Sequence, residues 1–271
     1  MKIAYQGEPG AYSEQAVIEY FKESVEPIAC EGFEQVFQMV ESGETEGGMI
    51  PIENSLAGSI HQNYDNLLRH NLFINGEYYM RVSHCLIGFP DVKLEQVKFA
   101  HSHPQALGQC AENLRRFGIQ PVPEYDTAGS VQIIKYLNDP SHAAIASKRA
   151  AAISGMAVIK DGLEDDQQNY TRFLHITTKE SKTIEHAKTT IVFTLKNEPG
   201  ALFKALSVFA LRDIDLSKIE SRPLQGTAWN YLFYIDLIGS IDESAVRKAI
   251  SHLKEYAETL RIFGSYPKAI R

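Results

Sequence analysis

The residues Asn169-Tyr170-Thr171-Arg172-Phe173 place a hydroxyl and a guanidinium side by side where a loop enters a strand. They follow an acidic, amide-rich loop, 164–168, and precede a short apolar run, 174–176. A strand holds such groups in place while the loop leaves them reachable, so Thr171 and Arg172 are candidates for chemistry on a small anion. A solvated strand edge is the alternative interpretation of the same pair.

Length and composition indicate an ordinary globular chain of about two domains. The chain has 271 residues, of which 44% are hydrophobic and 23% charged. Its longest apolar runs are too short to span a bilayer, so we expect no membrane partner. Residues 1–180 carry 14 Lys and Arg against 24 Asp and Glu, whereas residues 181–271 carry 13 against 10. An acidic body argues against nucleic acid, and an anionic ligand would need a local pocket of donors.

The cysteines and histidines do not form a metal motif. Cys30, Cys85 and Cys110 are far apart and form no CxxC pair, which predicts reduced core thiols. His101 and His103 have a metal-like spacing, but no carboxylate or thiol cluster accompanies them, so we expect no metal. The chain begins with a strand-like segment and no signal sequence. With the reduced cysteines, this predicts a cytoplasmic protein.

Short apolar runs alternate with amphipathic segments over residues 1–176, and one amphipathic segment, 104–117, predicts a helix. Strands that alternate with helices indicate parallel sheets covered on both faces. Two such sets, separated near 75–90 by extended segments, predict two α/β lobes.

Four loops that follow predicted strands are rich in small, hydroxyl and amide side chains. In such folds ligands bind outside the carboxyl ends of the strands, where helix N-termini offer free N–H groups to carboxylates or phosphates. Capping of the helices by their own side chains is the alternative. The loops cover 6–13, 51–59, 101–105 and 126–130.

The pattern changes after a polar, aperiodic segment at 178–187 that is typical of a linker. The order of the following elements, β-α-β-β-α-β, predicts a ferredoxin-like domain. The predicted elements are a strand at 189–195, a helix at 200–212, strands at 215–221 and 231–238, a helix at 243–257 and a strand at 260–265.

Several of these motifs, taken in order, resemble prephenate dehydratases over essentially the whole chain. The C-terminal unit resembles an ACT domain, with motifs similar to that module's phenylalanine-binding segments. The catalytic-region motifs are Ala4–Ser13, Pro51–Ser55 with Gly58-Ser59, Ser102–Gln105, Asp126–Ala128, Ala144–Ser147 and Thr171–Phe173, and the ACT motifs are Asn197–Leu202 and Glu220–Pro223.

The resemblance implies an α/β fold with a two-lobed, periplasmic-binding-protein-like catalytic region and a C-terminal ferredoxin-like βαββαβ ACT domain. It implies a monofunctional enzyme without a cofactor, since no chorismate mutase-like segment is seen ahead of residue 1, and a homodimer or homotetramer. The expected division is a catalytic domain at 1–178 (lobes 1–78 with 160–178, and 79–159), a linker at 179–187 and an ACT domain at 188–271.

The resemblance also assigns site residues. The expected catalytic residues are Thr171, Glu53, Asn54 and Gln105. The expected substrate-binding residues are Arg172, Ser55, Ser102, His103, Thr127, Ala128, Ser130 and Phe173. The expected phenylalanine site consists of Asn197, Pro199, Gly200, Ala201, Leu202, Glu220, Ser221 and Arg222.

The implied reaction removes CO2 and water from prephenate to give phenylpyruvate, in phenylalanine biosynthesis. A hydroxyl group leaves poorly as hydroxide, so a general acid is the main requirement, and the resemblance gives that role to Thr171. Because a threonine is a weak acid, we expect a neighbour such as Glu53 or His103 to supply acidity. Arg172 is expected to bind the pyruvyl carboxylate, because clamping the ring carboxylate would oppose its loss. A structural ion pair between Arg172 and a loop aspartate is the alternative.

Two other functions fit the same motifs. Arogenate dehydratase performs the same elimination on the amino analogue of prephenate. A non-catalytic amino-acid sensor would combine two-lobed ligand binding with an ACT domain, but the hydroxyl of Thr171 has no use in a pure sensor.

Overall fold

The computed structural model describes the chain as two compact units. One contains Met1–His70 and Tyr78–Phe173, and the other contains Asn71–Glu77 and the described residues from Leu174 onward. Residues 182–184 of the expected linker are outside the described residues. The described residues are 1–22, 25–181, 185–224 and 231–269.

Helices follow most strands along the chain. They are α1 (Tyr12–Phe21), α2 (Phe33–Ser42), α3 (His61–Arg69), α4 (Pro104–Gln109), α5 (Ala111–Phe117), α6 (Gly129–Leu137), α7 (Lys148–Ser154), α8 (Ala201–Ala210) and α9 (Ser244–Tyr256). Within the described ranges, no helix is long and apolar enough to cross a membrane.

The strands belong to three sheets. They are β1 (Lys2–Gln6), β2 (Glu26–Cys30), β3 (Gly47–Asn54), β4 (Gly58–Ser59), β5 (Phe73–Arg81), β6 (Cys85–Gly88), β7 (Phe99–Ser102), β8 (Gln120–Pro123), β9 (His142–Ala146), β10 (Ala157–Lys160), β11 (Tyr170–Thr177), β12 (Ala187–Leu195), β13 (Leu216–Pro223), β14 (Tyr231–Ile238) and β15 (Ala257–Pro267).

The first sheet has the order β2-β1-β3-β11-β5, with β4 paired to β3. β1 pairs in parallel with β2 and β3, as expected where helices connect successive strands. Ile3, Tyr5, Met49 and Phe173 are almost fully buried in one core, which fixes β11 beside the N-terminal strands. The sequence did not predict β2, an edge strand that contains Pro27, because proline weakens the strand pattern.

The second sheet has the order β10-β6-β9-β7-β8. β7 pairs in parallel with β8 and β9, whereas β6 is antiparallel to both β9 and β10. The expectation of purely parallel sheets is therefore wrong for β6 and β10, because β6 enters directly from the first sheet and not through a crossover helix. The single helix expected at 104–117 is divided at Cys110, whose φ of −116° and ψ of 10° are not helical.

The chain passes from the first sheet to the second between β5 and β6 and returns between β10 and β11. This confirms the expected two-lobed α/β region. Glu14 on α1 accepts hydrogen bonds from Arg149 on α7 at 2.7 and 3.0 Å, which joins the two lobes. Beside this pair a Cβ on Gly10 would be 2.8 Å from the Ala150 backbone, so the close approach requires glycine.

The third sheet has the order β13-β14-β12-β15, with antiparallel neighbours throughout. α8 and α9 bury Phe209 and Leu253 against Ile191 and Ile235 of the sheet. The expected ferredoxin-like βαββαβ domain is confirmed.

Candidate active site

A cavity of about 220 Å³ lies in the first unit. It is smaller than the roughly 300–1,000 Å³ clefts typical of drug-sized ligands, so it fits a small molecule. Its lining is composed of Tyr12, Ser13, Phe33, Pro51, Asn54, Ile60, Val82, His84, His103, Gln105, Ala106, Gln109, Thr127, Thr171 and Phe173.

The cavity brings together six predicted site residues that are far apart in the sequence. Both lobes and the returning strand β11 contribute to this group. The six are Asn54, His103, Gln105, Thr127, Thr171 and Phe173.

Asn54 and Thr171 are directly linked. Asn54, the last residue of β3, is 6% exposed, and Thr171 at the start of β11 is 8% exposed. The Asn54 Nδ2 atom donates a hydrogen bond to Thr171 Oγ1 at 3.0 Å. Because this bond occupies the oxygen as acceptor, the Thr171 hydroxyl proton is directed elsewhere, and no protein acceptor for it is found within the described residues.

A chain of hydrogen bonds continues from Asn54 away from Thr171. Asn54 Nδ2 donates to Asn169 Oδ1 at 2.7 Å, and Asn169 Nδ2 donates to Gln109 Oε1 at 3.0 Å. The same Gln109 oxygen lies 2.8 Å from His84 Nε2, and His84 Nδ1 lies 2.7 Å from the Tyr12 hydroxyl. One network thus connects side chains of both lobes and β11.

The cavity has an uncharged lining apart from its histidines. None of the described lining residues carries a carboxylate, an ammonium or a guanidinium. Burial lowers the pKa of His84, against the opposing effects of its bond to Gln109 and of the Glu164 carboxylate, which favours the neutral imidazole. Burial also raises the pKa of Tyr12 well above its usual value. His103 is exposed, so its ring is open to solvent.

Two helices begin at the cavity without a side-chain cap. Tyr12 and Ser13 open α1 after Ala11, and Phe33 opens α2 after Gly32. Free N–H groups at a helix start, with their partial positive charge, suit a carboxylate. The cavity therefore combines two helix starts with amide and hydroxyl donors, a combination suited to a small anion. Among the described residues no cluster of three or more His, Cys, Asp or Glu is arranged to hold a metal.

Arg172 does not line the cavity. Successive side chains of a strand point to opposite faces, so Arg172 cannot share the face of Thr171 and Phe173. Its side chain is buried, with only 4% of the residue exposed. Strand geometry thus places this guanidinium on the face opposite the neighbouring hydroxyl, away from the described cavity lining.

Ser55 and Glu53 also lie outside the lining. The Ser55 hydroxyl donates to the Gln168 carbonyl at 2.7 Å and accepts from the Tyr170 N–H at 2.9 Å. Ser55 thus fixes the loop that leads into β11. Glu53 pairs with Ser59 of β4 and is not among the lining residues of the cavity.

Ser102, Ala128 and Ser130, expected to bind substrate, are buried structural residues. The Ser102 hydroxyl donates to the Ile145 carbonyl at 2.6 Å, and Ser130 donates to the Asp126 carbonyl at 2.6 Å. All three are at most 5% exposed and are absent from the lining. Their small side chains support the loops and not the ligand.

The sequence interpretation missed His84 and Gln109, and assigned no role to Tyr12 or Asn169. One signal was available for Gln109, because Gln105 and Gln109 are four residues apart and share one face of a helix. No local pattern marks His84, which follows the first crossing between the lobes.

The predicted phenylalanine-binding motifs lie at one end of the third sheet. The strand register aligns Arg222 of β13 with Leu232 of β14, and Leu232 in turn with Thr194 of β12. Both motifs therefore lie at the same end of the sheet. Asn197, Glu198 and Pro199 are exposed between β12 and α8. Gly200 has a φ of +80°, a left-handed conformation that favours glycine.

Fold and site together define a two-lobed α/β protein with a small-anion cavity, followed by a ferredoxin-like domain. Residues 3–181 match the family model for prephenate dehydratase, and residues 189–254 match the ACT domain. The chain belongs to the prephenate dehydratase family. This confirms the predicted family, its hydro-lyase class and its assignment to phenylalanine biosynthesis.

Named relatives agree with this membership. "Arogenate dehydratase/prephenate dehydratase 1, chloroplastic" of Arabidopsis thaliana is 45% identical over 98% of this chain and 72% of that protein. A solved prephenate dehydratase in complex with L-Phe from Arthrobacter aurescens has a TM-score of 0.91 at 29% identity, covering 99% and 90% of the two chains. GqqA, described as a novel type of quorum quenching acylase, has a TM-score of 0.92 at 32% identity, covering 99% and 98%.

The predicted cytoplasmic location is wrong by the same comparison. Several similar Arabidopsis thaliana relatives, at 43–45% identity, are named chloroplastic. Composition and reduced cysteines are properties of the folded domains and do not determine the compartment of a protein. Targeting segments determine it.

Proposed function

We propose that the protein converts prephenate into phenylpyruvate, CO2 and hydroxide in the cavity around Thr171. The observation that carries this proposal is the hydrogen bond from Asn54, which leaves the Thr171 proton free to meet a ligand. A hydroxyl held in this way is suited to donate to a leaving oxygen.

The reaction loses a ring carboxylate and the para hydroxyl while the ring becomes aromatic. The C–CO2 bond breaks, its electron pair enters the ring, and the C–O bond breaks as the hydroxyl leaves. Thr171 donates a hydrogen bond to that leaving oxygen, which stabilises the negative charge that develops on it. The proton that finally neutralises hydroxide comes from solvent or from the exposed ring of His103 at the cavity rim.

The uncharged lining suits a decarboxylation. A cation fixed on the ring carboxylate would stabilise the ground state more than the transition state. We assign the two carboxylates of prephenate to Gln105, Thr127 and the uncapped starts of α1 and α2. Asn54 is then a residue that holds Thr171, and Arg172 has a structural role.

The lining favours prephenate over arogenate. The side-chain ammonium of arogenate would meet neutral acceptors only, because the described lining has no carboxylate. Arogenate remains the alternative substrate, since similar relatives carry both names.

An acylase function is less well supported. Covalent acyl transfer needs a nucleophile whose proton passes to an adjacent base. The partner of Thr171 is the amide nitrogen of Asn54, which donates to the hydroxyl and cannot accept its proton.

We further propose that L-phenylalanine binds the ACT domain and controls turnover. Support comes from the two motifs at one sheet edge and from the relative solved with L-Phe. The edge strand β13 has an open side and an exposed Ile219, which suits pairing with a second ACT domain in a homodimer or homotetramer. The domain division at 178 and 188, with a linker between, belongs to the same proposal.

The test compares kcat/KM of the purified chain on prephenate, arogenate and an N-acylated amide, with and without L-phenylalanine. We expect turnover of prephenate to exceed that of arogenate and no release of acid from the amide. Faster turnover of arogenate would reassign the substrate, and turnover of the amide alone would refute the dehydratase proposal.

A further inference from the structure

We propose that His84 and Gln109 are positioning residues that fix the direction of the Thr171 hydroxyl. They act through Asn169 and Asn54, and the inference rests on the proposed function because it assigns Thr171 to the reaction. Neither residue belongs to a motif that the sequence indicated.

Two backbone N–H groups set the direction in which the hydrogen bonds of this network run from donor to acceptor. Asn54 Oδ1 accepts the N–H groups of Leu56 at 3.1 Å and Ala57 at 2.9 Å. A backbone N–H can only donate, so the oxygen of this amide must face the loop. The amide nitrogen must then face Asn169 and Thr171, to which it donates at 2.7 and 3.0 Å, with the Tyr170 carbonyl as a longer third acceptor at 3.3 Å.

The same argument fixes the orientation of two further side-chain amides, those of Asn169 and Gln109. Because Asn54 donates to Asn169, the oxygen of Asn169 is occupied and its nitrogen faces Gln109. The Gln109 oxygen accepts that bond, so it also accepts at its contact with His84, and His84 must carry its proton on Nε2. Each member is oriented by the one before it.

The hydrogen-bond network ends at the Tyr12 hydroxyl, which can act as a donor or as an acceptor. With its proton on Nε2, neutral His84 accepts the Tyr12 hydroxyl at Nδ1, 2.7 Å away. Tyr12 also lies 2.9 Å from the Ser83 carbonyl, a second acceptor for the same proton. The Tyr12 hydroxyl can therefore adapt to either direction of the network. At Asn54 the direction is fixed by the two backbone N–H groups.

The network orients Thr171 and does not supply it with protons. Primary amides donate their N–H groups without releasing them, so Gln109 and Asn169 cannot pass a proton from His84. Burial adds to the constraint, since Asn169 is fully buried and His84 is 2% exposed. If Gln109 or His84 is lost, the amide of Asn169 is no longer held in position from that side. The Asn54 nitrogen, which donates to Asn169, can then shift away from Thr171 Oγ1, although the backbone donors to the Asn54 oxygen remain.

The test is a double-mutant cycle on prephenate turnover. We expect Gln109→Leu and His84→Leu each to lower kcat by about 10- to 100-fold, the cost of a misplaced reacting group, with KM changed by less than about threefold. Gln109→Glu keeps an acceptor oxygen and should restore most of the activity. In a Thr171→Val background the same substitutions should lower kcat by less than about threefold, because they act through the missing hydroxyl.

His101→Leu is the matched control. His101 is 5% exposed, and its ring nitrogens lie 2.8 Å from Glu124 and 2.7 Å from His142, so the same change removes a similarly buried ring with two partners. We expect it to lower the melting temperature about as much as His84→Leu while leaving kcat unchanged. The ring ¹⁵N shifts of His84 should report the Nε2–H tautomer in the wild type.

The outcomes separate this inference from the proposed function. If the wild type turns over neither prephenate nor arogenate, the proposed function fails and the inference with it. If the wild type is active but the losses at Gln109 and His84 add to that of Thr171→Val, only the inference is overturned. An Nδ1–H tautomer of His84 in the wild type would also overturn it.

Discussion

Asn54→Asp reverses the polarity of the network at its anchored end while keeping the size of the side chain. One carboxylate oxygen still accepts from Leu56 and Ala57, but the other replaces the nitrogen that faces Asn169 and Thr171. The Thr171 proton then has an acceptor inside the protein and turns away from the cavity. Turnover should therefore fall although every side chain keeps its place.

The other members of the hydrogen-bond network can also exchange their donor and acceptor roles. Asn169 and Gln109 can each rotate their amides by half a turn, so that His84 accepts at Nε2 and carries its proton on Nδ1. Tyr12 then accepts from His84 and donates to the Ser83 carbonyl, 2.9 Å away. Because every group finds a new partner, the cost in stability should be about 1 kcal/mol, near that of a single hydrogen bond.

The expected loss in kcat for Asn54→Asp is about 10²- to 10³-fold, within the range for removal of a positioned acid. Prephenate turnover at pH 8, urea unfolding and the ring ¹⁵N shifts of His84 are to be measured on the same preparations. The tautomer should change from Nε2–H to Nδ1–H. Near-normal turnover together with an unchanged tautomer would refute the reasoning.

Three further substitutions test other parts of the molecule. Burial alone would raise the pKa of Glu14, but hydrogen bonds from Arg149 and the Gly10 N–H lower it. Its stabilisation is therefore present above the usual carboxyl pKa near 4.5 and lost as the pH falls below it, so Glu14→Gln should flatten the acid limb of unfolding free energy against pH. Lys188→Met should destabilise the second unit by about 3–5 kcal/mol in urea unfolding, because Glu77, 2.8 Å away and fully buried, loses its cation. Gly200→Val should abolish inhibition by phenylalanine and keep basal turnover, through strain at a φ of +80° and not through crowding, since a Cβ there meets no atom within 4 Å among the described residues.

Periodicity and motif order predicted the fold well where a segment had one clear pattern. The ferredoxin-like domain followed from strands and helices in a fixed order, and β12 begins and ends within two residues of its predicted bounds. The direction of β6 was not predictable, because nothing in four apolar residues reports whether the chain arrives from another sheet. The predicted helix is interrupted at Cys110, although neither proline nor glycine occupies that position.

Part of the cavity lining was predictable from the sequence. Thr171, Asn54 and Gln105 came from loops at strand ends, where ligands bind. Arg172 was expected to bind the same ligand as Thr171, whereas the alternation of side chains along β11 places the two on opposite faces. His84 acts through contacts 25 and more residues away in the chain, and such contacts exist only after folding.

The central claim is that the cavity around Thr171 catalyses the decarboxylative dehydration of prephenate. Its most direct measurement is the amount of phenylpyruvate and of CO2 released from prephenate in one vessel, for the wild type and for Thr171→Val. We expect one CO2 per phenylpyruvate, with the rate lowered by about 10²- to 10⁴-fold in the variant while its fold is retained. Absence of both products from the wild type, or equal rates for the two proteins, would contradict it.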